Sequence, residues 1–188
     1  MAKNQVYLDL GSNIEPERNF TAAVKLLAKL STLVAVSSVW ETRPIGMPEL
    51  PNFLNAGVVV ETELSAAEFK QMVIRNIERA LARTRTKNKN APRTIDIDII
   101  LFNSDIFELD GRHIPNKELV ERPFVAVSLA EIAPAYRHPE TGQTLLEIAQ
   151  SFDLADGDML PRPDVSELLV EIKRSQITVD NNVLVNGK

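Results

Sequence analysis

A strict two-residue alternation runs from Ile95 to Phe102. Ile95, Ile97, Ile99 and Leu101 share one face of the strand this predicts, and Asp96, Asp98, Ile100 and Phe102 share the other. Two carboxylates therefore sit as next-but-one neighbours, Cα atoms ~6.5–7 Å apart on one face. Upstream lies a cationic, loop-like run ending in Ala91-Pro92-Arg93. Between positions 75 and 93 seven basic residues face a single acid, Glu78, so positive charge is concentrated beside the pair although the whole chain carries −5. Two readings are open for Asp96 and Asp98. They are ordinary surface acids, or they are a pair joined by a cation, since like charges this close repel. Mg²⁺ favours a few carboxylates plus substrate phosphates. The basic run is in the same way either a solvated face or an anion-binding loop. Arginines so placed suit phosphate, whose oxygens match the guanidinium fork.

The rest of the chain limits the fold. Val6–Leu10 alternates and predicts a strand. After Gly11-Ser12-Asn13, read as a turn, Pro16 opens a helix with Phe20, Ala23, Val24, Leu27 and Leu30 on its apolar stripe. Leu33–Trp40 predicts one strand, Glu41–Asn52 a proline-broken loop and Phe53–Glu61 another strand. There Asn55, beside Gly57, faces space that a flat ligand or nothing in particular fills; Phe53 and Phe124 read as core aromatics. Ser65 with Glu68 forms a capping box. The helix it opens buries Phe69, Met72, Val73, Ile77, Ala80 and Leu81 and turns Arg75, Glu78 and Arg79 outward. The order strand, helix, strand, strand, helix, strand is the βαββαβ unit of ferredoxin-like α+β folds, with helices on one face of an antiparallel sheet and the other face open. Downstream, Phe107–Asp110 and Arg112–Ile114 predict a hairpin, Pro123 a helix ending before Pro134, and Thr144–Gln150 a short helix. Residues 153–164 read as a linker, Val165–Arg174 as a helix, and Ile177–Val179 with Val183–Val185 as a hairpin. The chain divides into a domain over 1–152 and an extension over 153–188.

Composition excludes several functions. Without cysteine there is no disulfide or thiolate chemistry, and two histidines cannot make a multi-histidine metal site. The acidic balance argues against nucleic acid or membrane surfaces as partners. No stretch reads as a signal peptide or a membrane span. A cytoplasmic protein, monomeric or weakly homo-oligomeric, is expected.

The run Lys89-Asn90-Ala91-Pro92-Arg93-Thr94-Ile95-Asp96-Ile97-Asp98-Ile99-Ile100 resembles the signature of the 6-hydroxymethyl-7,8-dihydropterin pyrophosphokinases of folate biosynthesis. Collinear blocks extend the resemblance from Val6 to about Phe152: Leu10-Gly11-Ser12-Asn13, Glu41-Thr42-Arg43-Pro44-Ile45-Gly46, Phe53-Leu54-Asn55-Ala56, Glu121-Arg122-Pro123-Phe124 and Glu131-Ile132-Ala133-Pro134. The resemblance implies a ferredoxin-like enzyme that moves pyrophosphate from its co-substrate ATP to the pterin hydroxymethyl oxygen and releases AMP. Asp96 and Asp98 match ligands of two Mg²⁺ ions; Arg83 and Arg93 match arginines that contact the phosphates in transfer. Glu78, Arg85, Ile99 and Arg122 match nucleotide-site positions. Thr42, Pro44 and Ile45 match the loop lining the pterin pocket, Asn55 the amide on the pterin edge, and Phe53 and Phe124 the rings that sandwich it. Asn116, followed by Lys117, stands where the family commonly has a phosphate-contacting histidine, and Asn90 where some members close a tryptophan over the pterin. The loops Glu41–Asn52 and Arg83–Pro92 are expected to close over bound substrates. Two alternatives carry less: a relative that binds ATP or pterin without turnover, supported by Asn116 and Asn90 alone, and an RNA-binding ferredoxin-like domain, which acids on the binding face oppose.

Overall fold

The computed structural model describes residues 3–44, 49–84 and 91–186, with no side-chain description beyond Gln176. Ile45, Gly46, Arg85 and Asn90 lie outside the described residues. Strand β1 (Asn4–Ser12) leads into α1 (Pro16–Leu30), followed by β2 (Thr32–Val36), β3 (Trp40–Thr42) and β4 (Phe53–Thr62). One continuous helical segment then comprises α2 (Ala66–Phe69), a π-helical turn (Lys70–Ile74) and α3 (Arg75–Ala80). Strand β5 (Asp96–Phe102) is followed by the hairpin β6 (Phe107–Leu109) and β7 (Arg112–Ile114), then α4 (Glu118–Glu121), α5 (Pro123–Ile132) and α6 (Leu145–Gln150). Strand β8 (Met159–Pro161) and α7 (Pro163–Asn186) close the chain.

The sheet runs β5-β1-β4-β3-β8, with β2 also on β4, and every pairing is antiparallel. This is the expected α+β, ferredoxin-like core. The strand predicted over Leu33–Trp40 is two pieces. Between them the Ser37 amide still donates to the Gly57 carbonyl at 3.0 Å, but the Gly57 amide donates at 2.9 Å to the Ser37 hydroxyl rather than to a backbone carbonyl.

One face of the sheet packs Val6, Leu8, Leu10, Ile95, Ile97 and Ile99 against Phe20, Val24 and Leu27 of α1 and Phe69, Val73 and Ile77 of the second helical segment. Fully burying a side chain such as Leu8 or Phe20 contributes ~1.5–3 kcal/mol, so this layer holds the scaffold. The opposite face is not wholly open, as the sequence suggested. Tyr7, Val59, Ile100 and Leu101 meet Leu119, Val125, Leu129, Leu145 and Ile148 of the later helices. Among the described residues, the end of the face nearest Gly11 and Asp96 stays uncovered.

Three sequence expectations change here. The alternation of β5 breaks, because one extra residue lies between the pairs Leu8↔Ile99 and Tyr7↔Leu101. This bulge turns Ile100 and Leu101 together toward α5 and returns Phe102 to the face of Ile99. In the second helical segment the π turn adds a residue to the repeat. Met72 therefore faces solvent, at 53% exposure, while Ile74 and Glu78 turn inward. The tail is neither linker nor hairpin. Strand β8 pairs with β3, Thr42 opposite Met159, and α7 runs through the stretch read as two strands. Val165 and Leu169 bury one stripe of α7. Gln176 accepts from the Leu33 amide at 2.7 Å and donates to the Ser31 carbonyl at 2.8 Å. This docking outweighs the β-propensity of residues such as Ile177 and Val179. Among the described residues, no helix is long and apolar enough to cross a membrane.

Candidate active site

A cavity of about 660 Å³ opens over the uncovered end of the sheet. Antiparallel register brings its floor together in two rows. The first is Asp96–Gly11–Asn55, across β5, β1 and β4; the second is Asp98–Asp9–Gly57. Side chains in such rows project to the same side, so the two aspartates of β5, Asp9 and the amide of Asn55 face one space.

The first row is shaped for a flat ring. Asn55 is buried and donates through Nδ2 to the Thr42 hydroxyl at 2.8 Å. That orients the amide. Gly11 is the residue that keeps the slot clear: a Cβ there would stand 3.2 Å from Asn55 Oδ1. The sequence assigned this role to Gly57, but Gly57 is packed under α5, its hypothetical Cβ 2.9 Å from Leu129 and 3.1 Å from the Ser128 carbonyl carbon. Phe53 on β4 and Phe124 in the first turn of α5 line the same space, as do Thr42, Arg43 and Pro44. A half-buried aromatic pair with a fixed donor-acceptor edge suits a planar heterocycle.

The second half of the floor is charged. Arg93 pairs with Asp96, and Arg83 approaches the same carboxylate at 3.6 Å. Arg112 pairs with Asp98. The Arg93 guanidinium also lies over the Phe53 ring, 5.5 Å from its centroid, which ties the anionic end of the cavity to the aromatic slot. Burial, with the neighbouring Asp96 charge, pushes the Asp98 carboxyl up to about 6, against the opposing pull of Arg112. Asp9 is driven well above the usual carboxylate range, first by burial and then by the charges of Glu118, Asp98 and Asp96. Its Oδ1 is buried and has no hydrogen-bond partner among the described residues.

Gly11-Ser12-Asn13 is more than a turn. Ser12 donates to the Thr94 carbonyl at 2.6 Å, Asn13 Oδ1 accepts from the Arg93 amide at 2.8 Å, and the Asn13 amide donates to the Arg93 carbonyl at 3.1 Å. These bonds fix the entry to β5 and hence the position of Arg93. Ser12 and Asn13 are buried polar residues, but nothing local in the sequence marks their distant partners.

The nucleotide-side candidates separate. Asn116, Lys117 and Arg122 line the main cavity. Asn116 Oδ1 accepts from the Glu118 amide at 3.0 Å, so that side chain also holds the start of α4. Lys117 pairs with Glu121 at 3.1 Å on an exposed edge. Ile99 lies on the other face of β5, in a small hollow with Lys70, Ile74 and Ile114 that shares Asp98 and Arg112 with the cavity. Glu78 does not line the cavity as it stands; it is 4% exposed, on the inward side of its helix. Asp9, Gly11, Arg112 and His113 also line the cavity, and sequence reasoning gave none of them a role. Asp9 was hidden because only the β1–β5 register places it opposite Asp98.

The donor set suits a hard cation. Carboxylate oxygens are what Mg²⁺ prefers, and an orphaned buried oxygen on Asp9 needs a partner. As the side chains lie, no three acidic or histidine groups among the described residues converge on one point. The arginines occupy the carboxylates instead.

The family model described as 7,8-dihydro-6-hydroxymethylpterin-pyrophosphokinase (HPPK) matches residues 7–134. The chain is 39% identical over 132 residues to the 2-amino-4-hydroxy-6-hydroxymethyldihydropteridine pyrophosphokinase of Bacillus subtilis, which spans 69% of this chain and 78% of that protein. It is 34% identical over 157 residues to the Haemophilus influenzae protein of the same name, covering 82% of this chain and 95% of the relative. Among solved structures it resembles the Plasmodium falciparum HPPK-DHPS crystallised with pteroate, with TM-score 0.64 and 15% identity over 79% of this chain. It spans only 44% of that longer chain, and the likeness is one of fold. From the family match and the curated relatives, the chain belongs to the 7,8-dihydro-6-hydroxymethylpterin-pyrophosphokinase family.

Proposed function

We propose that the cavity brings ATP and 6-hydroxymethyl-7,8-dihydropterin together, each at one end of the same floor. By its family the chain is a pyrophosphokinase of folate biosynthesis. The observation that carries this residue-level reading is the junction at Arg93: one guanidinium touches both the aromatic slot at Phe53 and the carboxylate of Asp96. Pterin lies between Phe53 and Phe124, with Asn55 on its edge and Thr42 and Pro44 at its rim. Its hydroxymethyl group then points toward Asp96 and Asp98. The triphosphate lies over those acids, within reach of Arg83, Arg93, Arg112, Lys117 and Arg122. Asn116 supports that side through α4, and the resemblance assigns the base to Ile99, whose hollow of about 20 Å³ must widen to take it. Glu78 and Arg85 remain assigned to the nucleotide side by resemblance.

Asp96 and Asp98 would hold two Mg²⁺ ions, whose chemistry is to neutralise the phosphate chain. Arginine does the remaining charge work. Phosphoryl transfer needs alignment and charge stabilisation more than covalent help. Arg83, Arg93 and Arg112 hold the carboxylates in the structure as it stands, so each must exchange a carboxylate for phosphate when nucleotide enters. The hydroxymethyl oxygen bonds to the β-phosphorus while the bond from that phosphorus to the α–β bridging oxygen breaks. AMP leaves with the bridging oxygen, and the hydroxyl proton passes to Asp96 or to water. A cytoplasmic enzyme, monomeric or weakly associated, accords with this reading.

The test is a chromatographic product assay with ATP, Mg²⁺ and the reduced pterin. AMP in equal amount to diphosphorylated pterin is expected. ADP would identify an ordinary kinase, and no nucleotide product would leave a binding protein. Asp98→Ala is expected to lose at least ~10²-fold in kcat, the scale of removing an electrostatic group from a transition state.

A further inference from the structure

Asp9 lies on the cavity floor, and the transfer chemistry gives it no part. It lies directly opposite Asp98 in the β1–β5 ladder. Opposed residues on one sheet face have Cβ atoms ~4.5–5.5 Å apart, and like charges so placed destabilise the sheet. Asp9 is 9% exposed, lines the cavity, and has an unpartnered Oδ1. Its neighbour across β4 is Gly57, which supplies no side chain. The charges that face it are those of Glu118, Asp98 and Asp96, all negative. Arg83 and Arg93 engage Asp96, and Arg112 engages Asp98; no described side chain bonds or pairs with that of Asp9. A buried carboxylate without a partner is costly. A cation between Asp9 and Asp98 removes that cost and the repulsion at once.

We propose that Asp9 and Asp98 form a carboxylate pair that holds a divalent cation before nucleotide arrives. The ion takes one or more oxygens from each aspartate and fills its remaining positions with water, as Mg²⁺ commonly does. Two carboxylates suffice, so no convergence of three protein groups is required. Arg112 gives up Asp98 to the ion and becomes available to phosphate. The proposal rests on reading Asp98 as a metal-binding residue, and its test separates the two ideas.

The experiment titrates Mn²⁺ into nucleotide-free protein and follows the free-ion electron paramagnetic resonance signal. Mg²⁺-dependent melting is recorded in parallel. Wild type is expected to bind one Mn²⁺ without nucleotide and to melt higher in Mg²⁺. Asp9→Ala should weaken Mn²⁺ binding at least tenfold and abolish the Mg²⁺ shift, while melting no lower than wild type in chelator. Asp9→Asn keeps the side-chain volume and removes the charge, and it should weaken binding equally. If Asp98→Ala loses the ion while both Asp9 variants keep it, Asp9 is no ligand and the inference fails. If wild type holds no ion without nucleotide, it fails too. If Asp98→Ala binds Mn²⁺ as wild type does, the reading of Asp98 as a metal residue falls with it.

Discussion

Gly57→Ala isolates how the scaffold sets the aromatic slot. Gly57 has no catalytic contact; it lies where β4 passes beneath α5. A Cβ at this position would meet Leu129 Cδ2 at 2.9 Å, the Ser128 carbonyl carbon at 3.1 Å and the Leu129 amide nitrogen at 3.2 Å. The leucine tip can rotate aside, but the two backbone atoms can give way only if α5 moves by a few tenths of an ångström. Overpacking of this kind costs ~1–3 kcal/mol. Replacing glycine returns ~0.4–1 kcal/mol by restricting the unfolded chain. A net loss of about 1–2 kcal/mol follows, or roughly 2–8 °C in Tm for a chain of this size. The functional effect should be one-sided. Phe124 stands in the first turn of the displaced helix, whereas Asp96, Asp98 and Arg93 sit on β5 and its entry, two strands away from β4. KM for the pterin should rise several-fold while KM for ATP stays within twofold. Urea unfolding and steady-state kinetics measure both. Undiminished stability would refute the packing account, and a rise confined to KM for ATP would refute the assignment of α5 to the pterin side.

Three further outcomes follow from the same geometry. Gly11→Ala places a Cβ 3.2 Å from Asn55 Oδ1 and should raise KM for the pterin more than it lowers stability; unchanged pterin binding would show that the slot is elsewhere. Arg162 bonds Glu17, Glu41 and Asp164 at 2.9, 3.0 and 2.9 Å and ties the end of β8 to β3 and α1. Arg162→Ala should cost ~1–2 kcal/mol in urea unfolding, discounted because Glu17 and Asp164 are exposed; no loss would mean that β8 docks without it. In chelator, Asp98 should make the fold less stable as pH rises. Its native carboxyl keeps its proton to about 6, whereas the unfolded chain releases it near 4. The stability present below ~4 is therefore lost between ~4 and 6, up to ~3 kcal/mol. Asp98→Asn should gain on wild type by that amount between pH 4 and 7.5; a pH-independent difference would contradict the burial of that charge.

Much of the scaffold was legible because it obeys simple periods. The apolar stripe of α1 at Phe20, Ala23, Val24 and Leu27, the alternation of β1 and β4, and the Ser65–Glu68 capping box all appear as expected, whereas Leu30 at the end of α1 is exposed. What failed depends on long-range pairing. The extra residue at Ile100 obeys no local rule, since a bulge is visible only against its partner strand. The π turn at Lys70–Ile74 uses ordinary helix formers, so nothing forewarned that Glu78 would turn inward. In the tail the docking of Gln176 against the end of α1 and β2 overrides local β-propensity, and no local pattern in the sequence marks that docking site.

The site divides the same way. Asp96, Asp98 and Arg93 stand out as residue types in a pattern, whereas Asn55 and both phenylalanines enter only through the family resemblance; the structure brings all six around one cavity. Asp9 and Arg112 were not, because each matters only through a partner on another strand. Asn13, read as a turn residue, fixes Arg93 through its side-chain oxygen and its backbone amide across 80 positions.

The most direct measurement is a crystal structure of the protein with Mg²⁺, a non-hydrolysable ATP analogue and the pterin. The account predicts the pterin ring between Phe53 and Phe124 with Asn55 on its edge, the phosphates over Asp96 and Asp98, and Arg112 parted from Asp98. A pterin bound outside that slot, or phosphates bound while the Arg93–Asp96 and Arg112–Asp98 pairs stay closed, would contradict it.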